Sequence, residues 1–474
     1  MTTNSTDESP AQTSPVLSGN LRRTVLWLSL PVLMEQFLSF LVGFYDTFLA
    51  GKIDANATTA IGLAAYIGWL VSMLFGLVGA GTTALVSRTW GAGEFEDSNR
   101  IANRSMALAA VSGVFLYGLI YTIAPLIAML LSMNETTSAM TVRYLRIDGL
   151  GHLFTGVSLV GAATLRGAGN MRVPMIVLGT VSVLNVILST AFVYGIGPVV
   201  ISGEPLWLIS PMGIDGIVMG TILARLAGGL LMIWVFCRGI MGFQLKLKEL
   251  RLRGETVRRI LRIGGPAAID GAIMWGGQFL FLIVISHLGT HGELDSNIFA
   301  AHIIGIRVEA ITYLPATAWG FAAATMIGQS LGAKDPKRAI AAGHEAVLQC
   351  GLLGCAITAI FFFGAEGIFS LMHREAAVRE IGVPAFRLLA FFQIPLIVSI
   401  IYVNALRAAG ESRFPMWITV IGVLLFRVPL AWLFGIYFEG GLIGAWVGMY
   451  ADMTVRGVLS TLRYISGSWT KTKV

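Results

Sequence analysis

Apolar positions in this chain gather into long runs separated by short polar breaks. A helix needs about 20 mostly apolar residues to cross the roughly 30 Å hydrocarbon layer of a membrane. Twelve runs approach or exceed that length, at about 24–50, 58–86, 105–132, 140–165, 174–198, 214–238, 260–288, 298–328, 339–371, 381–406, 415–437 and 440–464. The pattern predicts an all-α polytopic membrane protein with twelve transmembrane helices. The longest polar break, 239–259, divides six runs from six. Its stretch from Gln244 to Arg253 alternates basic and apolar residues and reads as an interfacial linker. The expected division is a polar, disordered cytoplasmic tail (1–18), an amino-terminal lobe (19–238), the linker (239–259) and a carboxy-terminal lobe (260–474).

The two sets of six runs resemble each other. Leu165-Arg166-Gly167-Ala168-Gly169-Asn170-Met171-Arg172-Val173-Pro174-Met175 returns as Leu406-Arg407-Ala408-Ala409-Gly410-Glu411-Ser412-Arg413-Phe414-Pro415-Met416, an offset of 415 − 174 = 241. Trp90-Gly91-Ala92 answers Leu331-Gly332-Ala333 at the same offset, as do Gly79 with Gly320 and Arg146 with Arg387. Six spans per half bring both halves in from the same side, so the repeats are parallel about an axis along the membrane normal. Two pseudo-symmetric lobes with a cleft between them form the ground plan expected of a secondary transporter.

Composition narrows the classes. Apolar residues make up 55% of the chain and charged residues only 12%, with a mean hydropathy of +0.77. Soluble domains carry about 25% charged residues, so this chain lacks the charges for a water-facing skin and lipid is its expected outer solvent. The net charge of +7 does not point to nucleic acid, because the bases are spread over short loops. Arg22, Arg23, Arg88, Arg100, Arg104, Arg166, Arg172, the basic linker, Lys334, Lys337, Arg338, Arg407, Arg413, Lys471 and Lys473 fall on one side. The positive-inside rule makes that side cytoplasmic, with both termini inside and the plasma (inner) membrane as the expected location. The polar, base-free stretch 1–18 is the wrong start for a cleavable signal peptide.

Several chemistries find no support. Cys237, Cys350 and Cys355 lie in apolar runs without metal-ligand spacing. His287, His291, Glu293 and Asp295 cluster near an outer loop, but Gly289 and Gly292 oppose the helix that a His pair four apart would need. His344-Glu345 begins like a zinc-protease motif and lacks its second histidine, and no Gly-Lys-Ser/Thr follows the glycine-rich run 75–81. No nucleophile–base constellation appears, so an embedded enzyme is the weakest reading. Neither a metal nor a cofactor is expected.

Ionisable residues within apolar runs carry the information, because each costs roughly 2.5–3.5 kcal/mol at a helix centre. Glu35 and Asp46 share the first run, eleven residues and therefore about 16 Å apart along one helix face. Asp270 follows Pro266 by four, as Glu35 follows Pro31. Glu35 and Asp270 can supply negative potential to a central cavity, or stand as helix-start acids favoured by the dipole. Asp46 is either an interfacial acid or a group buried for function. Asn185 and Ser189, four apart, and Thr221 add oxygens at membrane depth, as interhelical glue or as partners of a proton or small cation. Arg146 with Asp148, Arg307 with Glu309, and Arg427 beside Pro429 read as intramembrane pairs or struts.

These stretches resemble the multidrug and toxic compound extrusion (MATE) family of cation-coupled efflux transporters, over about residues 20–465. The likeness rests on Pro31 to Asp46-Thr47, Ala84 to Glu94, Leu165 to Pro174, Pro315 through Ile327-Gly328-Gln329-Ser330-Leu331-Gly332-Ala333, and Leu406 to Pro415. The resemblance implies a V-shaped pair of six-helix lobes that alternates between outward- and inward-open, with entry of H+ or Na+ driving export of amphipathic, cationic drugs. It also implies that Asp46 couples the ion, with Asn185 and Thr221 as polar partners. Ser189 stands where such members carry a second aspartate. One carboxylate fewer favours protons over sodium. The expected partners are a small-molecule substrate and the bilayer, and the expected state is a monomer. A flippase for lipid-linked precursors, in the same broad superfamily, would share the architecture but needs a basic cavity; Arg307 and Arg427 keep it open.

Overall fold

The computed structural model describes residues 15–472 except 54, 131–134, 198, 202–203, 207, 253 and 290–294. Most of the polar tail, together with His291 and Glu293 of the outer loop, lies outside the described residues. Twelve long helical segments run among those described: α1 (Leu21–Ile53), α2 (Ala55–Gly91), α3 (Phe95–Leu130), α4 (Glu135–Gly167), α5 (Arg172–Tyr194), α6 (Ile214–Cys237), α7 (Gly254–Ser286), α8 (Ser296–Gly332), α9 (Pro336–Met372), α10 (Ala376–Phe391 with Gln393–Ala408), α11 (Arg413–Tyr437) and α12 (Gly441–Ile465). Nine are long and apolar enough to span a membrane, and α10, bent by 50°, makes a tenth. The bend precedes Pro395, whose missing N–H cannot pair with the carbonyl four residues back; the buried Gln393 side chain donates to Leu389 O there at 3.0 Å. The remaining two, α4 and α12, are more polar. They bury Asp148, His152 and Arg166, and Asp452 and Arg456, respectively. Protein groups solvate those charges in place of lipid.

The repeated eleven-residue motif is a helix stop followed by a helix start. Gly169 (φ 90°) and Gly410 (φ 92°) both adopt the left-handed conformation that closes a helix. In the first copy Gly169 N–H reaches Arg166 O at 2.8 Å and Asn170 N–H reaches Leu165 O at 2.9 Å. In the second, Gly410 reaches Arg407 O and Glu411 reaches Leu406 O, both at 2.9 Å. This is the paired closure of a Schellman cap, and it favours glycine because only glycine takes that φ without strain. Asn170 Oδ1 then accepts from Arg172 N–H and Val173 N–H, starting α5.

The repeat offset is not uniform, and its changes map to loops. It is 235 for the first helices (270 − 35), 241 through the middle, and 228 at the last helix ends, where Gly239 and Gly467 both have positive φ. The first change falls in the connection 287–295, longer than its counterpart between α1 and α2. The second falls between α5 and α6, where Val199–Ile201 pairs antiparallel with Glu204–Leu206, a hairpin added to the all-helical plan.

The lobes interlock at the end expected to face the cytoplasm, here termed the inner end. The inner half of α1 (Val25, Leu28, Val32) packs in one core cluster with Trp319, Ala323 and Ile327 of α8 and Ile401 of α10. Its outer half (Leu49, Ala50) packs instead with Phe75, Val193 and Ile217 of its own lobe. Likewise Ile260 and Ile263 of α7 join Val78 and Leu85 of α2, whereas Phe281 and Ile285 join the outer core of the second lobe. Between them α2 and α8 touch backbone to backbone. A Cβ added at Gly91 would stand 2.1 Å from Gln329 O, and one at Gly332 would stand 2.1 Å from Arg88 O. Those contacts are exchanged by the repeat, since Gln329 and Gly332 each lie 241 positions beyond Arg88 and Gly91. Thr325 and Gln329 of α8 add hydrogen bonds to Arg166 O (2.8 Å) and Gly167 O (2.9 Å) of the other lobe.

The linker is docked rather than loose. Asn99 and Asn103 of α3 accept from Gln244 N–H (2.8 Å) and Lys246 N–H (3.0 Å), and Asn103 donates to Gln244 O at 2.9 Å. Buried Phe243 stacks on Trp90 with ring centroids 5.0 Å apart.

Candidate substrate and ion-coupling site

A cavity of about 610 Å³ opens above the α2–α8 contact, walled by both lobes: Phe75, Leu77, Leu159 and Leu178 from one, Thr317 and Phe321 from the other. The charged side chains on its wall are Glu35, Arg166 and Arg407. Arg166 Nη2 donates to Glu35 Oε1, and Arg407 Nη2 donates to Asp270 Oδ2. The arginine of each repeated motif thus holds the acid of its own lobe's first helix, α4 to α1 and α10 to α7. Glu35 is 5% and Arg166 7% exposed, and breaking such a buried pair costs about 3–5 kcal/mol. The Arg166 guanidinium also lies 4.9 Å from the Phe321 ring across the lobe boundary. The sequence expected Glu35 and Asp270 to give the cavity a negative potential, but each carboxylate carries its own guanidinium, which offsets it.

Asp46 is not among the residues lining this cavity. It sits in the outer half of the first lobe, next to Tyr45, whose hydroxyl is 2.7 Å from Thr190 Oγ1 on α5. Asp46 Oδ1 is buried without a hydrogen-bond partner. Arg225 and Asp148 lie within electrostatic reach of it, and these two pair with each other at 2.8 Å. Asp148 Oδ2 is also 3.2 Å from Nε2 of His152 one turn along α4. Asn185 and Thr221 meet directly, Asn185 Nδ2 donating to Thr221 Oγ1 at 2.9 Å, while Asn185 Oδ1 is left without a donor. Ser189 and Thr221 both donate to Ile217 O, at 3.3 and 2.9 Å. The structure therefore joins Asn185, Ser189 and Thr221 into one α5–α6 cluster; among the described residues no hydrogen bond links Asp46 to them.

The second lobe holds a larger charge cluster in the matching position. Arg427 on α11 binds Asp452 on α12 (Nε to Oδ2, 3.0 Å) and Gln278 on α7 (2.8 Å). Arg456, one turn beyond Asp452, binds it at 2.7 Å. Asp452 has no exposed surface, and Glu309 on α8 is 3% exposed with Oε1 unpartnered. Arg427 lies in one of two π-type stretches of α11, Val420–Arg427 and Leu433–Tyr437, wider turns of a kind frequent at functional sites.

Two expected pairings are corrected. Arg146 does not bind Asp148; it donates to Tyr121 O at 3.3 Å and stacks on the Tyr121 ring, while Asp148 takes Arg225. Arg307 does not bind Glu309: the first is exposed and the second buried. Residues two apart on a helix face different ways, so neither pair could form. Arg427 is a strut as expected, with Asp452 as the partner sequence reasoning missed. The i, i+4 spacing of Asp148 with His152, and of Asp452 with Arg456, was the readable signal. At the outer end Asp295 caps α8, accepting from Asn297 N–H at 2.8 Å, and His287 Nδ1 is 2.8 Å from Ile283 O. Among the described residues no group of three His, Cys, Asp or Glu could hold a metal ion.

The family described as MatE matches residues 31–190 and again 266–433, each match opening on the proline four residues before the first-helix acid. The probable multidrug resistance protein NorM of Thermotoga maritima is 29% identical, over 96% of this chain and 94% of its own length. The FAD transporter of Shewanella oneidensis is 24% identical over 90% of each chain. Among solved structures, a multidrug resistance MATE family transporter in an outward-facing conformation superposes with a TM-score of 0.85, covering 96% of this chain and 98% of that one at 21% identity. With two matched halves and an interlobe cavity, this chain belongs to the MatE family of multi-pass membrane transporters and is not an enzyme.

Proposed function

We propose that the protein exports amphipathic small molecules in exchange for protons, by alternating access between its lobes, with Asp46 as the coupling residue. The observation that carries this reading is the buried, unpartnered Oδ1 of Asp46. A buried acceptor without a donor is costly, and a proton supplies what is missing. Protonation removes a buried charge and lets α1 repack against α5 and α6. Because α1 also packs into the second lobe through Val25, Leu28 and Val32, that repacking reaches the inner seal. One charge crossing 100 mV carries about 2.3 kcal/mol.

Protons are favoured over sodium because the oxygen set is thin. Asp148 is committed to Arg225 and His152, Ser189 is a hydroxyl, and Thr221 Oγ1 already accepts from Asn185. The multidrug resistance name of the Thermotoga relative supports drug export. In this reading the lobes 19–238 and 260–474 rock about the docked linker, both termini are cytoplasmic, and the monomer in the inner membrane is the working unit. The flippase alternative loses its support: Arg427 is bound to Asp452 and Gln278, and neither Arg427 nor Arg307 is among the cavity's lining residues.

Dye export from proteoliposomes under an imposed pH gradient or an imposed sodium gradient tests the ion. Export is expected with the pH gradient alone; export driven only by sodium would reverse the assignment.

A further inference from the structure

The charges around Asp46 do not balance. Asp46 on α1 and Asp148 on α4 are two carboxylates, and Arg225 on α6 lies within electrostatic reach of both. Its Nη1 is committed to Asp148 Oδ1 at 2.8 Å, while Asp46 Oδ1 is buried without a partner. The other cations nearby are engaged or distant. Arg143 of α4 is held by Asp215 of α6 at 2.7 Å, Arg146 binds Tyr121 O, and Lys52 lies over the Phe48 ring. Arg88 of α2 and Arg172 of α5 are the single charged residues of their helices and stand at the inner end. The remaining neighbours are neutral: the hydroxyls of Tyr45, buried Tyr144, Ser189, Thr190 and Thr221, with the amide of Asn185. His152 is 3.2 Å from the other oxygen of Asp148. With Asp46 ionised the group is one positive charge short, and with Asp46 protonated it is neutral.

We infer that Arg225 is a positioning residue whose charge Asp46 and Asp148 use in turn. It sits on Asp148, the arrangement seen here, while Asp46 holds a proton, and it passes to Asp46 when that proton leaves. Arg225 and Asp46 both keep some exposed surface, whereas Asp148 and His152 are buried. The arginine runs close over Gly151 of α4, where an added Cβ would stand 3.0 Å from Arg225 Cδ, so the glycine leaves its side chain room. Arg225 also follows Thr221 by one turn on the same face of α6. When it leaves, His152 still stands beside Asp148. A guanidinium on ionised Asp46 fills the place that a sodium ion would need and draws α6 toward α1. A proton arriving from the outer solution forms an O–H bond on Asp46 and returns the arginine to Asp148. The inference deepens the proton-antiport reading and rests on Asp46 as its coupling residue.

The test is a pH titration of the full-length protein in nanodiscs, read by difference infrared spectroscopy on the carboxylic-acid band that Asp46→Asn removes. A neighbouring cation favours the ionised acid, and a neighbouring anion favours the protonated one. Arg225→Gln is therefore expected to raise the midpoint of that band by about one pH unit. Asp148→Asn, which removes an anion and frees the arginine, is expected to lower it by about as much. Arg225→Lys keeps the charge and should hold the midpoint near the wild-type value. A strut that only ties α4 to α6 gives no such opposition, so shifts of one sign, or no shift in either variant, overturn the inference. In wild-type protein carrying isotope-labelled arginine, a guanidinium band is expected to change at the same midpoint as the acid band. A constant guanidinium band overturns the inference too, and this arm needs no variant to fold. If Asp46→Asn removes no acid band at all, the coupling role of Asp46 falls, and the inference with it.

Discussion

Asp452 shows how much a single buried residue holds. It bridges Arg427 and Arg456 with no exposed surface, so Asp452→Asn strands two guanidinium groups. A loss of about 3–5 kcal/mol is expected in thermal unfolding of the purified protein. Arg307→Gln, at an exposed position that the sequence reading had placed in an ion pair, is expected to stay within about 0.5 kcal/mol. Gly169→Ala puts a side chain where φ is 90° and should cost about 1–2 kcal/mol by the same assay. Much at this scale was legible. Prolines, acids, arginines and glycines recur at fixed offsets because each does a job that few other residues can. The contacts were hidden. Arg166 lies 131 positions from Glu35 and Arg407 137 from Asp270, and no local spacing reveals such partners. The assumed pairs two residues apart failed for a geometric reason, while true pairs four apart went unread.

In the proposed mechanism, helices α2 and α8 form the element on which alternating access turns. Their symmetric contact at Gly91 and Gly332 must part for the inner end to open, together with the bonds from Thr325 and Gln329. In Gly91→Ala the new Cβ would meet Gln329 O at 2.1 Å, below the 3.0 Å that real Cβ contacts respect, so the two backbones must shift apart at that point by about 0.9 Å or more (3.0 − 2.1). The inner ends are expected to move apart and export to fall. Spin labels at Glu96 and Lys337, exposed positions related by the repeat, in a background lacking Cys237, Cys350 and Cys355, would report that separation by electron–electron resonance. An unchanged distance distribution would mean that the glycine contact is not the seal. All twelve segments were readable from apolar runs. The bend in α10, the π-type turns of α11 and the polar character of α4 and α12 were not, because neighbouring helices decide them.

At the scale of the whole molecule, duplication supplies the frame and asymmetry supplies the function. The repeat places guanidinium–carboxylate pairs, helix stops and the α2–α8 contact twice. It places Asp46 once, since the residue fifteen beyond Pro266, where Asp46 stands beyond Pro31, is Phe281. The second lobe instead carries the locked cluster of Arg427, Asp452 and Arg456. In the proposed mechanism the coupling step therefore belongs to the first lobe, and the seal joining α1 to the second lobe carries its effect across. The most direct measurement is proton movement during export in proteoliposomes holding a pH-sensitive dye, comparing the wild-type protein with Asp46→Asn. Substrate addition is expected to move protons with the wild-type protein and to move none with the variant, while the variant still binds substrate. Proton movement of wild-type size with Asp46→Asn would contradict the account.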